Sequence, residues 1–296
     1  MLILAQVEAI QATPLESELM QRAGAIGLFY LVLTLAGFAV LGGLAARWRR
    51  QPPPLRVALA RLLDRPWHAA DVWRLLAILA MGFACVFLLQ QPWTALMARV
   101  GISQESGLLF LQSLLFHVVG LSAVAFHLAK QRRTWRDAFG FSGARLPVDL
   151  AKGLFALLAS IPALLGITFL FHLVLNLLGH QPSLQDVALA IADEPNRWAK
   201  IYFVFLAVCL APLFEELLFR GIILPVVARR FGAWAGLLLT SFLFAAIHGH
   251  LPSFGTLFAF AFALGSAYIL TGSLAVAIVM HACFNGITVA ILLAMP

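Results

Sequence analysis

Charge is what this sequence has least of. Only 11% of its 296 residues are Asp, Glu, Lys or Arg, whereas 62% are hydrophobic, and the mean hydropathy is +0.95. Soluble domains carry about 25% charged residues, so too little polar surface is present to cover a water-exposed core. The same figures exclude a disordered chain. Cysteine is also scarce: Cys85, Cys209 and Cys283 all lie in apolar stretches, in an odd number and at no metal-ligand spacing, which excludes a disulfide framework. Acidic residues are outnumbered 13 to 20, giving a net charge of +7. In so apolar a chain that excess marks basic loops on one side of a bilayer, and no nucleic-acid partner is expected. The expected fold is all-α, a polytopic transmembrane bundle of about eight helices, multi-pass in the cell membrane of a prokaryote.

A bilayer core needs about 20 apolar residues per helix. The candidate spans are Ala23–Ala46, Trp73–Gln90, Gly107–Ala129, Leu150–Leu178, Ala199–Arg220 with an extension, Ala233–His248, Phe254–Leu270 and Gly272–Leu293. Met1–Gln21 lacks a basic start and carries Glu8, Glu16 and Glu18, so no cleavable leader is expected. Arg47–Asp71, with Pro52-Pro53-Pro54 and many arginines, reads as a loop. The chain divides into residues 1–198, helices with basic loops, and 199–296, helices that carry the unusual polar residues, within one integral unit.

Fifteen basic residues, among them Arg61, Arg65, Arg136, Arg145, Arg229 and Arg230, fall on one side of these spans, and four on the other. The positive-inside rule makes the rich side cytoplasmic and leaves both termini outside.

Within the spans the acidic residues reduce to Glu215-Glu216, followed by Arg220. A charge at bilayer depth costs about 2.5–3.5 kcal/mol or more, so such residues face a cavity or one another. Glu216 and Arg220, four apart, read as an ion pair on one helix face. Glu215 points about 100° away and is left unexplained by that pair. Of the eight histidines, His68 and His180 lie in loops, and His250 is placed at the membrane surface. His117, His127 and His172 sit in early spans without acidic company, as packed side chains. His248 ends the helix after the acidic one, and His281 lies in the last span with Asn285 four residues on. At 1.5 Å per residue, Glu215 and His248 stand roughly 22 and 23 Å above the Arg230–Ala233 turn, with His281 and Asn285 roughly 15 and 21 Å above Thr271. All four therefore meet near mid-membrane, in what reads as a wet polar pocket.

A carboxylate beside a histidine can activate water, and a second histidine with an asparagine can donate to a developing oxyanion. Glu215, His248 and His281 could equally hold a zinc ion with water in its open position, and the sequence leaves the two mechanisms open. No His-Glu-x-x-His is present, the spans hold no aspartate dyad, and Ser266 and Ser273 lack a Gly-x-Ser-Gly setting.

Glu215-Glu216-Leu-Leu-Phe-Arg220, Phe244-Ala-Ala-Ile-His248 and His281-Ala-Cys-Phe-Asn285 together resemble the three-part signature of the CPBP family, the CAAX prenyl and bacteriocin-processing proteases also called Abi. Thr271-Gly272-Ser273-Leu274 is similar to relatives too, although Leu270 stands where many place an arginine. The resemblance covers Ala199–Asn285. It implies an intramembrane endopeptidase in which Glu215 with His248 activates water, His281 with Asn285 stabilises the oxyanion, and Glu216 with Arg220 holds the helix geometry. It leaves the metal open. It also implies membrane lipids and a peptide or protein substrate as partners, with a lipidated C-terminus as one candidate class. Two other readings stay beside it: a non-proteolytic immunity or scaffolding protein that keeps the pocket, and a proton-coupled transporter.

Overall fold

In lipid every backbone N–H and C=O has to be satisfied within the protein, so long apolar runs fold as helices. The computed structural model describes residues 14–180 and 183–294, with side chains from residue 18 onward. The expectation of no cleavable leader falls largely on residues 1–13, which lie outside the described residues. Among the described residues there is no strand.

The helices are α1 (Pro14–Arg50), α2 (Leu55–Leu63), α3 (Ala69–Ala98), α4 (Gln104–Lys130), α5 (Trp135–Phe139), α6 (Leu146–Leu177), α7 (Asp186–Asp193), α8 (Arg197–Phe205), α9 (Ala211–Glu216), α10 (Leu224–Phe231), α11 (Ala233–Ile247), α12 (Leu251–Thr271) and α13 (Leu274–Ala294). Polar caps set several of their starts. Ser103 Oγ accepts from Ser106 N at the head of α4, and Asn196 Oδ1 accepts from Trp198 N and Ala199 N at the head of α8. Gly272, at φ 69°, ends α12 in the left-handed region that glycine adopts freely.

Among the described residues seven segments are long and apolar enough to cross a membrane, which makes this an integral, multi-pass protein. α11, with 15 residues, is shorter than the full span expected for Ala233–His248. At 1.5 Å per residue it reaches only about 22 Å. It rises from the turn after α10 and hands over at once to α12. Large apolar side chains stay exposed along the outer helices, Phe87 at 66% and Phe169 at 68%, the pattern of a lipid-facing belt.

α3 packs along α4, and α6 packs along α1, α12 and α13. α11 lies between α10 and α12, and α13 runs beside α9. The fifth span is not one continuous α-helix: α8, α9 and α10 are joined by two π-helical turns, Leu206–Leu210 and Leu217–Ile223. Pro212 and Pro225 explain the placing of both. Each lacks the N–H that would bond four residues back and crowds that carbonyl, so the helix widens just ahead of it. The basic loops gather at one end of the bundle. Arg229 Nη1 donates to Leu63 O and Arg65 O, and Arg65 donates in turn to Asp137 O and Gly272 O.

Candidate active site

Glu216 lies at the centre of the bundle, fully buried. Its Oε1 accepts from Arg220 Nη1 at 2.6 Å and lies 2.8 Å from His281 Nδ1. The ion pair expected from the four-residue spacing is therefore formed, and His281 joins it. Arg220 is itself buried, sends Nη2 to Ala261 O at 3.3 Å, and stacks over the Phe244 ring at 4.4 Å. Desolvating both ions is expensive, and these additional contacts offset that cost.

Glu215 stands on the other flank of α9. Its side chain keeps 23% exposure, and Oε2 is 3.8 Å from His281 Nε2. The imidazole of His281 thus lies between the two carboxylates. With Nδ1 donating to Glu216, its other nitrogen is turned to Glu215.

His248 caps α11. Its Nδ1 is 2.6 Å from Phe244 O, and since a carbonyl only accepts, Nδ1 carries the proton and leaves Nε2 with the lone pair. Phe244 links the parts of the site. Its ring centroid is 4.8 Å from the His248 ring and 5.8 Å from the His281 ring, with Arg220 over its face. Nothing in the sequence beyond its place in the Phe244–His248 motif marked this phenylalanine as the hub. Asn285 Nδ2 donates to Ala207 O at 2.8 Å, a bond that uses one of its two amide hydrogens. Ala207 belongs to the first π-helical turn, so Asn285 ties α13 to the backbone that Pro212 disturbs.

Two of the early-span histidines do have acidic company. His117 in α4 donates Nδ1–H to Ser113 O at 2.6 Å, and its ring meets Phe214, the residue before Glu215, edge-on at 5.6 Å. Gly120 permits this approach, because a Cβ there would run into the Phe214 ring. His127 lies 3.7 Å from Asp71 and stacks on Trp67 at 5.0 Å, near the basic end. His250 is held by Ser183 and Ser253 at 3.0 and 2.9 Å, at the start of α12 and apart from His248's contacts.

The set named for zinc was Glu215, His248 and His281. Among the described residues no three His, Cys, Asp or Glu side chains gather closely enough to hold a metal ion. Glu216 holds Nδ1 of His281 and Phe244 O holds Nδ1 of His248, which orients each ring and leaves Nε2 as the open nitrogen of both.

Glu215, Glu216, Arg220, Phe244, His248, His281 and Asn285 fall in a single stretch that runs from the start of α8 into α13. Residues 197–287 match the family model described as type II CAAX prenyl endopeptidase, Rce1-like. The match takes in Glu215, Glu216, Arg220, His248, His281 and Asn285, and is consistent with the CPBP resemblance of the three motifs. It covers under a third of the chain and leaves α1 to α7 outside. No curated protein and no solved structure matches the chain. At the turn where these proteases often carry an arginine, this chain has Leu270. An arginine reaches the turn from elsewhere: Arg65 Nη2 donates to Gly272 O at 2.6 Å.

Proposed function

We propose that this protein is an intramembrane endopeptidase of the CAAX protease type, in which Glu215 and His248 activate a water molecule directly. The observation that carries the reading is the division of labour between adjacent glutamates. Glu216 is buried and already shared by Arg220 and His281, so it is spent on structure. Glu215 is the one with open surface, which suits a base that must meet water and substrate.

In this reading the water attacks the scissile carbonyl carbon while Glu215 takes its proton. The carbonyl π pair moves onto oxygen, and that oxyanion accepts hydrogen bonds from Nε2–H of His281, held as the imidazolium between the two carboxylates, and from the Asn285 N–H that Ala207 does not use. Collapse breaks the C–N bond, and the proton passes through Glu215 or His248 Nε2 to the leaving nitrogen. A carboxylate and an amine result. Residues 199–296 carry this chemistry, and residues 1–198 pack around it and present it to lipid. No step requires a metal.

The substrate class proposed is a peptide or protein met at the membrane, with a lipidated C-terminal peptide as the test substrate. Glu215→Gln should lower cleavage of that peptide by about 10²–10⁴-fold with the thermal transition unchanged, and wild-type activity should survive a strong chelator. Full activity in Glu215→Gln would remove the assignment. Activity lost to chelator and restored by zinc would replace direct activation with a metal mechanism.

A further inference from the structure

The arginine-rich end of the bundle holds an open cleft whose lining shares no residue with the site around the glutamates. The last turn of α2, the body of α5, the turn Gly143–Arg145 and the α12–α13 turn frame a cavity of roughly 200 Å³. That is several times the share of one liquid water, about 30 Å³. Arg61, Arg65, Arg136 and Arg145 line it, with Asp64 and Asp137.

Its floor is fixed. Gly140, at φ 78°, lies so close to Gly272 that a Cβ would run into the Gly272 carbonyl, and Arg65 fastens the two loops through Asp137 O and Gly272 O. Arg65 is 9% exposed, and its Nε is buried with no partner. The rim is uncommitted. Among the described residues, arginine side chains that find protein acceptors are Arg22, Arg65, Arg74, Arg220 and Arg229. Among the described residues Arg61, Arg136 and Arg145 donate to none.

The two carboxylates do not answer this demand. Asp137 Oδ2 accepts from the Thr134 N–H and hydroxyl in the α5 capping box, and among the described residues neither Asp64 nor Asp137 forms an ion pair within 4.0 Å with Arg61, Arg136 or Arg145. Three guanidinium forks over a rigid floor present charged, bidentate donors of the kind that match phosphate geometry. Exposed Leu63 and Leu146, at 39% and 46%, flank them, as expected where a helix end meets a lipid surface.

We propose that this cavity binds a phosphate group, the chemistry shared by an anionic lipid headgroup and free phosphate. The test uses the full chain in neutral detergent, titrated with phosphatidylglycerol, phosphatidylcholine or inorganic phosphate, with binding read by native mass spectrometry and thermal shift. Wild type should hold phosphatidylglycerol at least about tenfold more tightly than phosphatidylcholine, and Arg61→Gln/Arg145→Gln should erase that preference. Neither residue bonds another protein group, so the fold should persist, which the transition without added ligand checks. Arg132→Gln/Arg133→Gln, on the same end but outside the cavity, should keep the preference. Inorganic phosphate that binds in wild type, displaces phosphatidylglycerol and is lost in the cavity variant would make free phosphate the occupant. The proposal is overturned if the cavity variant keeps the wild-type preference, if the two double variants lose it equally, or if wild type shows neither lipid preference nor phosphate binding.

Discussion

Glu216 and His281, 65 positions apart in the chain, meet at 2.8 Å inside the bundle, and that contact turns the second nitrogen of His281 to Glu215. One carboxylate is spent on aiming the imidazole at the other. The adjacent acidic pair is thus two residues with different surroundings: one enclosed and paired, one half-open.

Removing the charge of Glu216 should therefore be a stability effect first. Glu216→Gln leaves Arg220 buried with no counter-ion, which costs about 3–5 kcal/mol. Unfolding monitored in detergent should show a lower transition. Replacing the pair together, Glu216→Leu with Arg220→Leu, should recover much of that loss. A single variant as stable as wild type would contradict the burial of the pair.

Asn285→Ala removes the donor to Ala207 O and should cost about 0.5–1.5 kcal/mol. If its second N–H also serves the oxyanion, cleavage should fall more than this small destabilisation accounts for. Equal loss of folded protein and of activity would assign Asn285 to the helix joint alone.

Gly120 is the position at which α4 meets α9. Gly120→Val places two methyl groups where the Phe214 ring lies and should destabilise by about 1–3 kcal/mol. Because Phe214 precedes Glu215, peptide turnover per folded molecule should drop as well. A variant of wild-type stability and turnover would show that the Phe214 contact is slack.

At the basic end, Thr134 holds the Asp137 carboxyl below its ordinary value of 3.8, chiefly through the hydroxyl and then the backbone N–H. A depressed carboxyl contributes stability that is complete above its unfolded value and lost as pH falls through the lower folded one. Thr134→Ala should raise the Asp137 titration towards 3.8, and that shift should be visible by carboxyl-detected NMR. An unmoved titration would mean the Thr134 bonds are not formed in solution.

Much of the fold was legible because lipid leaves few alternatives: apolar runs had to be helices, and basic loops had to collect at one end. The acidic pair was legible for the same reason, since a charge in a span needs a partner. What the sequence could not supply was direction. Spacing along one helix gave Glu216–Arg220, but the turn of His281 towards the carboxylates, and of Asn285 towards Ala207, depends on how α13 rolls against α9. His117 was hidden differently. Its nearest chain neighbours are apolar, and its acidic company comes from a helix about 100 residues later. Phe244 was hidden because an aromatic in an apolar helix is unremarked until a cation is found on its face.

The π-helical turns give the acidic segment a rotational phase that α-helical winding would not. Such a turn accommodates an extra residue, and each residue of an α-helix advances the clock by 100°. A chain shortened by one residue within 217–223 could wind back to ordinary pairing, but only by turning α10, with its whole grip on the basic end, about 100° against Glu215 and Glu216. Length in this stretch is thus as tightly set as residue identity. Here the reading frame of side-chain direction would be lost by a single deletion, even with every polar residue still present.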